Sequence, residues 1–472
     1  MKRRAFLAST VFPLTGYPLR RWLPLPGYRP VPSRQQLTWH RDELALFLHF
    51  GINTFTDREW GDGREDPAVF NPAALDARQW ARAARSAGFR LLILTAKHHD
   101  GFCLWPSGVT SHSVASSPWR GGQGDLVREF TDACRAEGLK AGLYLSPWDR
   151  HEPSYGDSPR YNDFYIAQLT ELLSQYGAIT EVWFDGANGE GPNGKRQVYD
   201  WPRIHRTVRE LQPEALIFSD AGPDIRWIGN EKGIAGDPNW CTMDPAVVPY
   251  PGADGPGIIE ALQHGGPNGT VWRPGEADVS IRPGWFYHPA EDDKVRTVEN
   301  LVDLYFSSVG RNAGLLLNVP PTREGLLHAT DVARLDELGA RIRALYSADY
   351  TAGAWATADL GRAGTANVLN PDPESFWTPG RSGSDAWLEL QFTRAVGFNV
   401  VSLQEAIGHG QAVGEHRIEI RQGNDWRTLV RGSTIGHKRL HRAGPVSTNR
   451  VRLVIDEAVD PPRISRLQLL RL

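Results

Sequence analysis

The chain has 472 residues, more than one hydrophobic core normally fills, so we expect a large domain and a smaller one. Its 52 basic and 55 acidic side chains are mixed along the sequence and give a formal net charge of -3, which excludes the positive surface typical of a nucleic-acid partner. Cys103, Cys134 and Cys241 lack CxxC spacing, so they predict neither a disulfide framework nor a thiolate metal cluster, and we expect them to be free and buried.

The N-terminus begins Met1-Lys2-Arg3-Arg4 and continues through a moderately apolar stretch to residue 16, which resembles a twin-arginine export signal. We therefore predict a signal and extension over residues 1–30 and a periplasmic or secreted protein. An ordinary basic N-terminus is the alternative, because Pro13 interrupts the apolar run and no A-x-A cleavage site follows. No stretch approaches the roughly 18–20 apolar residues that cross a bilayer, so no membrane partner is expected.

Residues 31–350 are predicted to form a (β/α)8-like catalytic barrel, because short apolar runs alternate with amphipathic stretches. Strands are predicted at residues 44–53, 89–97, 140–148, 181–186, 215–221 and 315–320, with less regular segments near 224–231 and 279–288 to complete eight. Helices are predicted at residues 75–87, 125–137, 162–176, 201–211 and 291–309. A doubly wound sheet fits less well, since no Gly-rich dinucleotide fingerprint opens any of these helices.

Residues 351–472 are predicted to form an antiparallel β-sandwich. Short alternating runs separated by Gly, Asn and Pro turns replace the helical patterns, after a Gly-, Ala- and Thr-rich boundary at 351–364. The predicted strands are residues 385–392, 398–404, 416–422, 426–431 and 450–455. Such a domain either binds carbohydrate or braces the barrel, and the sequence leaves both open.

Polar side chains gather at the ends of four predicted strands. His49 ends the first, His98 and His99 follow the second, Tyr144 lies near the end of the third and Asp185 closes the fourth. The carboxyl ends of parallel strands meet at one mouth of a barrel, where barrel enzymes build their active sites. The sequence therefore predicts one active site formed by these side chains.

Asp185 follows the apolar run Val182-Trp183-Phe184, so its carboxylate should project into that mouth, as a glycosidic nucleophile requires. The alternative is a carboxylate that caps the following turn. A retaining glycosidase needs a second carboxyl roughly 5–5.5 Å away. Glu231 is the first candidate, because its aromatic and glycine neighbours can desolvate it, and Glu276 is the rival, although either could be an ordinary surface glutamate.

The histidines could instead be metal ligands. However, no HxH or HExxH spacing is present, and adjacent residues of an extended strand, such as His98 and His99, point to opposite faces. We therefore expect the imidazoles to hydrogen-bond sugar hydroxyls, with no metal and no cofactor.

The motifs at the predicted strand ends resemble those of a known family, the α-L-fucosidases of glycoside hydrolase family 29. The similar stretches run in order through most of residues 44–320, and the histidine pair is the most diagnostic. They are Leu48-His49-Phe50-Gly51-Ile52-Asn53, Glu59-Trp60-Gly61-Asp62-Gly63, Lys97-His98-His99-Asp100-Gly101-Phe102, Tyr144-Leu145-Ser146-Pro147-Trp148 and Trp183-Phe184-Asp185-Gly186.

This resemblance implies a barrel followed by a β-sandwich, net retention of configuration, no metal, and Asp185 as the nucleophile. It implies that fucose contacts a larger set of residues: His49, Glu59, Trp60, His98, His99, Tyr144 and Trp183, with Trp285 as an aromatic wall facing the fucose methyl group. Glu231, in a WxGNE context, resembles the acid/base of the branch that prefers α-1,3- or α-1,4-linked fucose on Lewis-type glycans.

We therefore predict a retaining exo-α-L-fucosidase whose partners are fucosylated oligosaccharides or glycoconjugates. A non-catalytic fucose-binding protein and a metal-dependent barrel hydrolase are the alternatives.

Overall fold

The computed structural model describes residues 29–383 and 385–472. The export signal predicted within residues 1–16 lies outside these ranges, so export stays a prediction. Within the described ranges, no helix is both long enough and apolar enough to cross a membrane.

The described chain begins with alternating helices and strands and ends with strands alone. The helices are α1 (Arg34–Asp42), α2 (Ile52–Thr56), α3 (Ala77–Ala87), α4 (Leu126–Ala136), α5 (Ser158–Gln175), α6 (Trp201–Leu211), α7 (Pro256–His264), α8 (Val298–Ser307) and α9 (Ala329–Tyr346). The strands are β1 (Leu44–Leu48), β2 (Leu91–Lys97), β3 (Lys140–Leu145), β4 (Glu181–Trp183), β5 (Leu216–Phe218), β6 (Arg226–Trp227), β7 (Thr242–Met243), β8 (Val271–Trp272), β9 (Gly275–Ser280), β10 (Gly314–Asn318), β11 (Trp355–Ala358), β12 (Ala386–Glu405), β13 (Val413–Gln422), β14 (Asp425–Gly432), β15 (Arg439–Ala458) and β16 (Ile464–Leu470).

Eight parallel strands form the predicted barrel, in the order β5-β4-β3-β2-β1-β10-β9-β6. Between β5 and β6 the ring is joined by one parallel bridge, Phe218 to Ile225, and no helix separates these two strands. The strands read as continuous apolar runs because both of their faces are buried. In β1, for example, Leu46 and Leu48 pack outward against the helix layer, while Phe47 points into the barrel.

The surrounding helices begin and end at residues suited to those positions. At α3, the Asp76 side chain accepts a hydrogen bond from Gln79 N, and the chain leaves the helix at Gly88 with φ of 95°. The inner face of the helix presents Trp80 and Ala84, both fully buried, to the strands. The same sequence periodicity that predicted the helix therefore also fixes its buried face.

Two strand predictions for the barrel are corrected by the structure. The first strand ends at Leu48 rather than at residue 53, because α2 begins at Ile52. The strand predicted near 279–288 is β9, which begins earlier, at Gly275. Since side chains alternate along a strand, Glu276 and Asp278 belong to the inward-facing row of β9 rather than to a loop.

The C-terminal domain is antiparallel, with strand order β11-β12-β15-β13-β14 and β16 paired to β12. The strands predicted at 385–392 and 398–404 are one strand, β12, whose pairing with β15 continues across two register shifts. Such irregularities bend a strand without ending it. The predicted boundary at 351–364 also contains a strand, β11.

The C-terminal domain packs against the barrel end from which the strands begin. Lys438 is buried, and its Nζ lies 2.5 Å from Oε1 of Glu43, the residue before β1. Gln411 Nε2 donates to the carbonyl of Asn239, and the backbone N–H of Cys241 donates to Gln411 Oε1. The three cysteines are free and buried, as predicted.

Candidate active site

A cleft of about 840 Å³, its open mouth included, lies at the carboxyl ends of the barrel strands. Without that open space the cavity volume is about 320 Å³, at the lower end of the roughly 300–1,000 Å³ of small-molecule sites. It is lined by Phe47, His49, Glu59, Trp60, His98, His99, Tyr144, Trp183, Asp185, Ala187, Glu231, Asp278 and Trp285. The structure thus brings together all the predicted site residues except Glu276.

Asp185 lies two residues beyond β4, and both of its carboxylate oxygens are held. The Tyr144 hydroxyl donates to Oδ2 at 3.0 Å, and the N–H of Ala187 donates to Oδ1 at 2.7 Å. The next residue is a glycine that packs closely against Asp220, since a Cβ atom at Gly186 would meet Asp220 Oδ2 at 2.0 Å. Asp185 therefore caps the following turn and also faces the cleft, so the two alternatives from the sequence are compatible.

His49 and His99 are buried, and burial lowers the pKa of both imidazoles, to about 3 for His49. Asn318 Nδ2 is a donor to two other groups, so its Oδ1 accepts from His49 Nδ1 at 2.8 Å. Ser146 Oγ donates to the carbonyl of Trp148 and hence accepts from His99 Nδ1 at 2.7 Å. In both rings Nε2 is left as a neutral acceptor, which suits a sugar hydroxyl.

His98 and His99 point into the same cleft, although neighbours on an extended strand would not. The pairing of β2 with β3 shifts register between Thr95 and Lys97, and the chain turns after Lys97. The two ring centroids are therefore only 4.1 Å apart. Burial, together with the neighbouring imidazoles of His99 and His49, lowers the pKa of His98 well below its usual range. Across residues 29–383 and 385–472, no three His, Cys, Asp or Glu side chains are grouped to hold a metal ion.

Aromatic rings form the base and one edge of the cleft. Trp183 stacks on Phe218 with centroids 4.1 Å apart and planes 10° apart, and it also contacts Phe47. Trp60 lies at the rim, where 58% of its surface is exposed, and packs edge-on against Trp148. A flat apolar base with an exposed ring at the rim suits a sugar whose next residue extends into solvent.

Glu231 stands at the mouth, four residues beyond β6. Its Oε2 accepts a hydrogen bond from Trp285 Nε1 at 3.3 Å. The turn before it depends on Gly229, which has φ of 80° and whose Cβ position is 3.3 Å from the carbonyl of Ile259. Partial burial raises the pKa of Glu231, and the charges of Asp185 and Glu59 add to the rise, although the Trp285 hydrogen bond opposes it.

Glu276 lies at the opposite end of the barrel interior, as the second residue of β9. It is 1% exposed, and its Oε1 accepts from Trp183 Nε1 at 3.0 Å. Its neighbour Glu181 accepts from Trp39 Nε1 at 3.1 Å. Burial raises the pKa of Glu276 to about 7 and that of Glu181 well above its usual range. Glu276 therefore belongs to a buried pair beneath the cleft and does not line it.

Glu59 borders the cleft, but its carboxylate is mostly occupied by protein donors. Oε1 accepts from Phe286 N at 3.1 Å and from His288 Nε2 at 2.7 Å, and Oε2 accepts from Trp285 N at 2.9 Å. Since a carboxylate has about four acceptor positions, one remains on Oε2 for a ligand hydroxyl. Glu59 thus links the loop after α2 to the loop between β9 and α8, and it also faces the cleft.

The cleft combines four carboxyl groups, neutral imidazoles and aromatic walls, which suits a neutral sugar and carboxyl-based glycoside chemistry. The family profile described as Alpha-L-fucosidase matches residues 55–344. The chain belongs to the α-L-fucosidase family.

Other relatives of this fucosidase cover nearly the whole chain. Alpha-L-fucosidase 1 of Arabidopsis thaliana is 44% identical over 450 residues, which span 93% of this chain and 87% of that protein. The crystal structure of SpGH29 superposes with a TM-score of 0.89 and 41% identity, covering 94% of this chain and 99% of that one. A Ruminococcus gnavus GH29 fucosidase in complex with fucose has a TM-score of 0.85 and 33% identity, over 94% and 95% of the two chains. The protein is a glycoside hydrolase, an α-L-fucosidase.

Three polar residues in or beside the fucosidase site were not found from the sequence. Asp278 lines the cleft and accepts from Trp227 Nε1 at 2.8 Å, and Asn318 orients His49. Asp278 lies within β9 and Asn318 ends β10. A polar residue on an otherwise apolar barrel strand was therefore the sequence signal that could have identified both. His288, which contacts the carboxylate of Glu59, lies on a loop ten residues after Asp278, where no periodic pattern marks it.

Proposed function

We propose that this fucosidase is a retaining exo-enzyme that releases terminal α-1,3- or α-1,4-linked fucose, with Asp185 as nucleophile and Glu231 as acid/base. The observation that carries the proposal is the contrast between the two carboxyls. Asp185 is oriented by two hydrogen-bond donors, whereas Glu231 stands at the mouth with a raised pKa. A nucleophile and a general acid require these opposite environments.

The reaction proceeds in two displacements. Asp185 attacks the anomeric carbon while the bond to the leaving oxygen breaks, and Glu231 gives its proton to that oxygen. The product of this step is a fucosyl ester of Asp185. Glu231, now a carboxylate, takes a proton from a water molecule whose oxygen attacks the anomeric carbon. The ester bond breaks, Asp185 regains its charge, and two inversions leave the configuration retained.

Fucose recognition fits the hydrogen-bond acceptors of the cleft. His49 and His99 offer Nε2 lone pairs, and Glu59 retains one acceptor position for a hydroxyl. The half-buried ring of Trp285 offers an apolar wall for the methyl group that distinguishes fucose from galactose. The complex of the Ruminococcus gnavus relative with fucose supports this assignment.

The proposed linkage preference depends on two residues at the mouth of the cleft. Glu231 occurs in the WxGNE context of the branch that acts on Lewis-type glycans, and exposed Trp60 gives the neighbouring sugars a surface to stack on. Free-fucose release should be measured on a panel of α-1,2, α-1,3, α-1,4 and α-1,6 fucosides. We expect the α-1,3 and α-1,4 members to be cleaved fastest, and activity confined to the α-1,6 member would refute the linkage assignment.

The same reactions, followed by NMR from their first minutes, test the stereochemistry independently. A retaining enzyme releases α-L-fucose before mutarotation. Initial release of the β anomer would contradict the double displacement and the role of Asp185.

A further inference from the structure

His288 forms a bridge between two carboxylates on a neighbouring loop. Its Nδ1 lies 2.9 Å from Asp57 Oδ1, and its Nε2 lies 2.7 Å from Glu59 Oε1. The imidazole is 16% exposed, whereas Asp57 is 52% exposed. It therefore sits between the loop after α2 and the loop that joins β9 to α8.

The geometry requires a protonated ring, because an imidazole donates from both nitrogens only as the cation. Burial lowers the pKa of His288, but the hydrogen bonds and charges of Asp57 and Glu59 together outweigh it and raise the pKa above the ordinary value. Arg323, after β10, faces the same site, with its guanidinium 3.7 Å from Asp57 Oδ1.

The bridge fixes the backbone that carries Trp285. Glu59 accepts the N–H groups of both Trp285 and Phe286. On the other side, Asn318 Nδ2 donates to the carbonyl of Trp285 at 2.8 Å. Trp285 is thus held through its N–H and its C=O, and His288 orients the carboxylate that holds the N–H.

Trp285 in turn holds Glu231. Its indole Nε1 donates to Glu231 Oε2, and within residues 29–383 and 385–472 no other hydrogen bond or ion pair to that carboxyl is present. Without this contact the Glu231 side chain would be free to sample several rotamers in solvent. A general acid must instead stay within hydrogen-bond reach of the leaving oxygen.

We propose that His288 is a positioning residue for the general acid: through Glu59 and Trp285 it keeps Glu231 at the leaving-group oxygen. The inference rests on the proposed role of Glu231. It predicts a specific kinetic signature, because poor positioning of an acid slows the departure of basic leaving groups and barely affects acidic ones.

The test is a series of aryl α-L-fucosides whose phenol leaving groups range from strongly to weakly acidic, assayed for kcat/KM. His288→Gln keeps a donor for only one of the two carboxylates. We expect at least about a tenfold loss on the poorest leaving group and less than about a threefold loss on the best. Glu231→Ala should show the same dependence more steeply.

Glu291→Gln is the matched control. Glu291 lies on the same loop and accepts from Gly284 N at 3.0 Å, without contacting Glu59 or Glu231. A glutamine keeps that acceptor, so wild-type kinetics are expected across the series.

An equal loss on every substrate, or no loss at all, would overturn the role of His288. If Glu231→Ala itself lacks the leaving-group dependence, the acid/base assignment fails instead, so the two failures are distinguishable. Should His288→Gln not fold, the same substrate series is measured with Asp57→Asn, which alters the exposed side of the bridge. It is expected to show the same dependence with a smaller loss, and a uniform profile there would refute the proposal.

Discussion

Both oxygens of Asp185 accept a hydrogen bond from the protein before any sugar arrives. The Tyr144 hydroxyl donates to one oxygen and the Ala187 N–H donates to the other. These contacts fix the direction of the carboxylate without neutralising it, as an attacking group requires. The Tyr144 ring also contacts Trp183, so the same side chain connects the nucleophile with the aromatic base.

Asp185→Asn is expected to reduce kcat on an aryl fucoside by at least about 10³-fold, because an amide cannot form the glycosyl ester. An asparagine nearly preserves the shape and one acceptor oxygen, so the thermal unfolding midpoint should stay within a degree or two of wild type, roughly the effect of a neutral surface change. Steady-state kinetics and thermal unfolding measure both. Retention of about a tenth of the activity would contradict the nucleophile assignment.

At the residue scale, the side chains predicted from the sequence were those that lie at the ends of strands. Asp185, His49 and Tyr144 were predicted in one mouth because parallel strands place their carboxyl ends together. Glu276 was the rival candidate for the acid/base, but its strand begins at Gly275 rather than near residue 279, so its carboxyl lies inside the barrel. His288 was not predicted, because its partners Asp57 and Glu59 are more than 200 positions away in the chain.

At the element scale, β9 places an unusual row of polar side chains inside the barrel. Glu276 lies at one end beside Glu181, Asp278 lines the cleft, and Ser280 receives a hydrogen bond from Asn318. Two buried carboxyls in one pocket cannot both ionise cheaply, so they titrate as a pair. The stability of the barrel end away from the cleft therefore depends on one of these two carboxyls keeping its proton.

Glu276→Gln should stabilise the protein at alkaline pH. The folded pKa of about 7 lies above the unfolded value, so the folded state holds the proton and loses stability as pH rises from about 4.5 through 7. Glutamine cannot ionise and keeps the acceptor for Trp183. We expect a gain on the order of 1–3 kcal/mol at pH 8 and little difference at pH 4.5, from urea unfolding at both values. A pH-independent gain would show that ionisation is not the cause.

The same variant should hydrolyse natural fucosides at the wild-type rate, because Glu276 lies outside the cleft. Loss of natural-substrate activity in Glu276→Gln, with Glu231→Ala unaffected, would reverse the acid/base assignment.

Element boundaries were the weaker part of the prediction. The helix at Trp201–Leu211 was predicted with its observed bounds, because Asp200 caps it and its apolar spacing is regular. β12 was predicted as two strands, since its polar middle, near Thr393 and Arg394, looks like a turn. Pairing with β15 on both sides of that region outweighs the local signal, and such pairing cannot be read from one strand alone.

At the scale of the whole molecule, the C-terminal domain braces the barrel through buried polar contacts. Burial raises the pKa of Glu43, but the charge of Lys438 and the contacts of His437 outweigh it and lower the pKa to about 2. The pair therefore contributes stability above the unfolded pKa of Glu43, and that contribution is lost as pH falls through about 2. Asn239 and Gln411 add uncharged contacts to the same interface.

Lys438→Met should destabilise the protein by about 3–5 kcal/mol near neutral pH, because it leaves Glu43 buried without its cation. Adding Glu43→Gln should recover part of the loss, since the uncompensated charge is then gone. Urea unfolding of both variants measures the difference. If the double variant is no more stable than the single one, the uncompensated charge of Glu43 is not the cause of the lost stability.

Because β5 and β6 are joined by a single bridge, the two proposed catalytic carboxyls lie on structurally different parts of the barrel. The nucleophile stands on the continuous side of the barrel, whereas Glu231 begins the long excursion from β6 to β9 that contains β7, α7 and β8. Insertions in that excursion would change what flanks the departing group without disturbing the hydrogen-bonded strands that hold the sugar ring. An engineer seeking new aglycones, or transfer to alcohols in place of water, can therefore remodel the exposed loops of this excursion while keeping Asn239 and Cys241, which contact the C-terminal domain.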